Sequence, residues 1–74
     1  MNKFEVVKIT SEYITLGQFL KFADVISNGG EAKEFINDHD IFVNGSVCKM
    51  RGKKLYPSDK IVIDDSMFFE IGKW

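Results

Sequence analysis

Asn44-Gly45 divides this chain in two. Ile41-Phe42-Val43 precedes the pair and Val47-Cys48 follows it. Asn-Gly between apolar β-type residues is the strongest short signal for a two-residue hairpin, because both central residues of the mirror-image turn need positive φ. The C-terminal part continues in the same manner. Leu55-Tyr56 is apolar, Pro57-Ser58-Asp59 reads as a turn, and Ile61-Val62-Ile63 reads as a strand. Asp64-Asp65-Ser66 is a further turn, and Met67 to Ile71 closes the sheet.

The N-terminal part has a different period. Phe4 to Ile9 (FEVVKI) is a strand, and Ser11 to Ile14 a polar connector with an extended tendency. Thr15-Leu16-Gly17-Gln18 matches a capping box and opens a helix. Leu16, Phe19, Leu20 and Ala23 form its core-facing stripe. Phe22, Val25 and Ile26 widen that stripe, so this helix should be packed on more than one side. Ser27-Asn28-Gly29-Gly30 is a break, where Asn and Gly tolerate the left-handed conformation that ends a helix. A second helix is predicted from about Gly30 to His39, with Ala32, Phe35 and Ile36 buried. Its outward residues are Glu31, Lys33, Glu34, Asn37 and Asp38. The order β, α, α, then three or four short strands predicts an α+β fold, two packed helices on a small, mainly antiparallel sheet.

With 74 residues the chain has room for one core, which argues against a multi-step enzyme with a deep pocket. Residues 1–74 are read as a single domain with core 15–63 and flanking strands 4–9 and 67–71. Seven Phe, two Tyr and one Trp supply the dense burial so short a chain needs. A single cysteine, Cys48, excludes an internal disulfide, and with one histidine, His39, it excludes the common zinc signatures. Cys48 reads as a buried structural thiol and His39 as a helix-end residue. Asp64 and Asp65 read as a solvated turn. No nucleophile, metal set or acid-base pair emerges, so the expectation is a protein that is not an enzyme, with no cofactor, no metal and no small-molecule substrate. No apolar run reaches the roughly 20 residues of a membrane span, and the N-terminus has no apolar signal core, so a soluble cytoplasmic protein without a membrane partner is expected. Phe68 and Phe69 are adjacent and must point to opposite faces of a strand, one into the core. The other, like Trp74, is left open between sheet cover and partner contact.

The formal net charge is −1, yet Lys49, Arg51, Lys53 and Lys54 stand together without an acid among them. They are four of the ten basic residues, and without them the rest of the chain carries −5. A solvated basic loop and a local binding patch fit this asymmetry equally well.

Leu16, Phe19 and Leu20, then Glu31-Ala32-Lys33 with Phe35-Ile36, then Ile41, Val43-Asn44-Gly45, Pro57, Asp59 and Ile61 form an ordered, ungapped set. In this set the chain resembles the S-four RNA-binding domain family, named after small-subunit ribosomal protein four. ITLGQFLKFADVI, GG-x-AK-x-F and RGKKLY look like its YaaA-like branch of short, single-domain bacterial proteins. The resemblance implies the alpha-L RNA-binding motif, in which two helices and the following β-turn lie on structured RNA, with ribosomal RNA the expected partner. Lys33 matches a cationic position of the second helix and is assigned a phosphate contact. Asn44 and Gly45 match the turn beside the RNA. Thr15 and Gln18 fall where many members carry Arg and Lys, and Gly29 where many carry Arg, so the helical face is less cationic than usual. Asn28, Gly29 and Gly30 border the second helix, with Gly30 a candidate for phosphate contact through its amide. Lys49, Arg51, Lys53 and Lys54 are expected to restore the missing charge. A rival reading is a protein-interaction adaptor associated with DNA replication or repair factors. The net charge of −1, the helical face without Arg and the surplus aromatics near the C-terminus favour it, and members of the branch are often encoded beside replication and repair genes.

Overall fold

The computed structural model describes residues 3–74. Strand β1 (Glu5–Ile9) is followed by β2 (Ile14–Thr15) and helix α1 (Leu16–Phe22). A 3-10 turn (Gly29–Glu31) leads into α2 (Ala32–Asp38). Then come β3 (Ile41–Val43), β4 (Ser46–Val47), β5 (Lys54–Leu55), β6 (Lys60–Ile63) and β7 (Met67–Lys73). Five strands form one sheet in the order β1-β7-β6-β3-β4, and β2 pairs with β5 apart from it. Only β1 with β7 is parallel within the sheet, so the fold is α+β with a mostly antiparallel sheet.

Alternation along the strands decides what is buried. Val7, Ile9, Ile41, Val43, Ile61, Ile63, Phe69 and Ile71 face the helices and meet Leu16, Phe19, Leu20, Ala32 and Ile36. Phe69 takes the core side of β7, its ring edge-on to Phe19 at 5.4 Å. Phe68 takes the outer side and packs against Phe4 at 5.6 Å. Trp74 stays exposed, with the Lys8 ammonium 4.8 Å from its ring. Asn44 and Gly45 both have positive φ, 52° and 86°, as the mirror-image turn requires. The return strand is Ser46–Val47 rather than Val47-Cys48, and Cys48 is half-buried, packed against the core rather than within it.

Helix α1 ends earlier than its apolar stripe suggests. Asp24 adopts φ 65°. The Val25 N–H donates to Leu20 O at 2.9 Å and the Asp24 N–H to Lys21 O at 3.0 Å, the bond pair of a Schellman motif. Ile26 is buried as expected, but from a loop that plugs the end of α1. Gly29 and Gly30 are not left-handed: they belong to the 3-10 turn, capped by the Asn28 side chain. Asp24 thus stands where glycine is normally preferred. Asp24→Gly is expected to stabilise the protein by about 0.5–1 kcal/mol. A higher urea midpoint with an unchanged slope would show it, and a lower midpoint would contradict it.

Candidate nucleic-acid interface

The 49–54 segment is fixed to the helices by its main chain. A helix leaves its first amides without intrahelical partners. In α1 the Leu16 N–H donates to Lys53 O and the Gly17 N–H to Arg51 O, both at 2.8 Å. Pairing of β2 with β5 holds the far end of the segment, Thr15 opposite Lys54. Gly17 permits the close approach: a Cβ there would lie 3.4 Å from both the Cβ and the carbonyl oxygen of Arg51. At the other end the Lys49 ammonium donates to Ile36 O at 3.0 Å and His39 O at 2.8 Å. Those are carbonyls of the last turn and end of α2, where a cation is favoured.

This docking brings Lys33, Lys49 and Arg51 together and sends Lys53 and Lys54 to a neighbouring groove. Lys33, Ile36, Asn37, Lys49 and Arg51 line one shallow concavity. Thr15, Gly17, Gln18, Lys21, Gly29 and Gly52 line the next, and Arg51 borders both. Lys53 and Lys54 turn toward the β3–β4 hairpin, where they share a groove with Asn44. Lys54 also lies 4.8 Å from the Tyr13 ring centroid. The one ion pair among the described residues is His39 with Asp64, so Lys33, Arg51 and Lys53 have no carboxylate within salt-bridge distance there.

Several of the expected contact residues also have structural partners. The Thr15 hydroxyl accepts from the Gln18 N–H, and the Gln18 side chain accepts from the Thr15 N–H, which completes the capping box. Asn28 accepts from the Gly30 N–H at 3.0 Å, so the amide offered for a phosphate is already engaged. Asn44 donates to Asp59 at 3.0 Å and accepts from the Lys60 N–H at 2.9 Å, which ties the hairpin to β6. Gly45 stands at the hairpin tip with open space where a Cβ would be. Lys21 joins the surface without having been singled out in the sequence. Its spacing of three from Gln18, on the outward side of α1, was the available signal.

His39, whose carbonyl accepts from Lys49, also pairs with Asp64. The His39 ring stacks on Phe35 at 4.1 Å and bonds through Nδ1 to Asp64 Oδ2. Asp64 Oδ1 accepts from the Asp40 N–H at 2.9 Å. The His39 bond, then the Asp40 amide, lower the Asp64 carboxyl below its ordinary value of 3.8. A carboxyl lowered in the folded state adds stability that is complete above its unfolded value and is lost as pH falls through the folded one. Asp64→Asn is therefore expected to be less stable than the parent at pH 7, with the difference shrinking below about pH 4. Urea midpoints of both proteins from pH 7 to 3 would show it; a constant gap would contradict it.

Residues 7–71 match the family model described as the S4 domain. The chain is also 46% identical over 65 residues to the "Probable ribosome maturation protein RlbA" of Bacillus subtilis (strain 168). That alignment covers 88% of this chain and 92% of that protein.

Proposed function

Since this chain belongs to the S4 domain family, we propose that it is a non-catalytic protein that docks on structured ribosomal RNA during ribosome assembly. One observation carries the reading: Arg51 borders two adjoining concavities, with Lys33 and Lys49 on one side and Thr15, Gln18 and Lys21 on the other. The whole molecule, at −1, exerts little long-range pull on a polyanion. A local cluster can still hold phosphates once contact is made. Arg51 is the only arginine, and its planar fork suits a phosphate or the face of an exposed base. A double-stranded RNA offers its shape and its phosphates rather than readable base edges, which fits a short rigid surface. Because main-chain bonds already fix the 49–54 segment, little ordering remains to be done on binding. The name of the Bacillus subtilis relative, a ribosome maturation protein, supports assembly as the setting. Such a role belongs in the cytoplasm.

Four or five phosphate contacts imply that log affinity falls with log salt at a slope of about −3 to −4. Binding to a folded ribosomal RNA fragment between 50 and 200 mM salt is the test. A flat dependence would reject the reading.

A protein contact is the second reading, and the outer face of the sheet favours it. Register aligns Val47, Phe42, Val62 and Phe68 across four strands, and Phe4 extends the line. Salt-sensitive co-sedimentation with ribosomal subunits supports RNA docking; recovery only with a protein supports the adaptor.

A further inference from the structure

A groove opens between the β3–β4 hairpin and residues 49–56, beside the cationic surface and joined to it by Lys49. It measures about 540 Å³, within the range of sites that hold small organic ligands. Val47, Met50 and Tyr56 line it and are 62%, 64% and 44% exposed. Gathered in one groove, exposed apolar groups mark a binding surface in a way that scattered ones do not. Tyr56 lies 5.9 Å from Tyr13, and the Lys54 ammonium sits over the Tyr13 ring.

The charge of the groove narrows the choice of occupant. Lys53 and Lys54 stand along it, and Lys49 lines it too, its ammonium held by the Ile36 and His39 carbonyls. Among the described residues its one acid is Asp59, whose oxygens already accept from the Asn44 side chain and the Tyr56 N–H. The groove thus offers apolar and aromatic surface beside cations. A base wants the first and its phosphates want the second.

We propose that this groove holds one unpaired nucleotide of the bound RNA, its base against Tyr56 and Met50 and its phosphates on Lys53 and Lys54. The proposal rests on the RNA-docking reading and adds to it a preference for a bulged or single-stranded nucleotide beside a helix. Continuity through Lys49 supports one RNA spanning both surfaces.

The test uses the full chain and two RNA hairpins with the same stem, one fully paired and one with a single unpaired nucleotide. The bulged RNA is expected to bind about tenfold more tightly, the scale of one stacked base. A fluorescent purine at the bulge should be quenched on binding. Tyr56→Leu and Met50→Ser should each reduce the bulged RNA toward the affinity of the paired stem, with the stem and its salt slope unchanged. Tyr56→Phe should retain the preference, which separates stacking from loss of fold. Equal binding of both hairpins, at the expected salt slope, overturns the groove assignment alone. Salt-independent binding of both overturns the RNA reading as well. Self-association that disappears in Tyr56→Leu would assign the groove to a second copy of the chain and overturn the proposal.

Discussion

Replacing Lys33, Arg51 and Lys53 together with glutamine is expected to lower affinity for structured RNA about 100-fold at roughly 0.1 M salt. Each lost phosphate contact removes on the order of 1 kcal/mol and about one unit of salt slope. The slope should therefore fall from about −4 toward −1. The three side chains come from α2 and from the docked segment, and all are exposed. Among the described residues none has an ionic partner. Their removal should leave the urea midpoint within about 0.5 kcal/mol of the parent. Lys54 and Lys49 are kept, because one rests on Tyr13 and the other holds the end of α2. Unchanged affinity in the folded triple variant would place the RNA elsewhere.

Gly17→Val should damage stability and binding together without removing a charge. Glycine within a helix usually costs about 1 kcal/mol relative to alanine. Here it lets the Arg51 main chain and the Ala32 side chain come close. A Cβ alone would rest at 3.4 Å from Arg51, so Gly17→Ala should be nearly neutral, its tight contact offset by better helix propensity. The γ-carbons of valine must reach further, into Arg51 or Ala32. The overpacking should cost about 1–3 kcal/mol and push the 49–54 segment off α1. RNA affinity should fall about tenfold as Arg51 leaves its place between the two concavities. Denaturation and binding curves for both variants would show this. Native stability and affinity in Gly17→Val would mean the segment is not held there.

Much of this arrangement is legible in the residues. Asn44-Gly45 marks its hairpin because positive φ at both positions has few other solutions. Thr15 and Gln18 announce their reciprocal cap. Phe68 and Phe69 part to opposite faces as a strand requires. The end of α1 is hidden for a physical reason. Val25 and Ile26 continue the apolar stripe, while the bonds that end the helix are main-chain bonds around an aspartate. The pairing of β2 with β5 is hidden because two-residue strands far apart in sequence leave no period to read. Lys49 reads as a free cation in the sequence. In the fold its ammonium satisfies carbonyls at the end of α2. Only Gly17, an odd choice inside a helix, hinted that another segment packs there.

Mapping the amide resonances of the full chain during titration with a folded ribosomal RNA fragment tests the central claim most directly. Changes are expected to cluster on residues 15–21, 29–37 and 49–54, the surface where α1, α2 and the docked segment meet. Changes confined to the outer face of the sheet, around Phe42, Val62 and Phe68, would contradict the account.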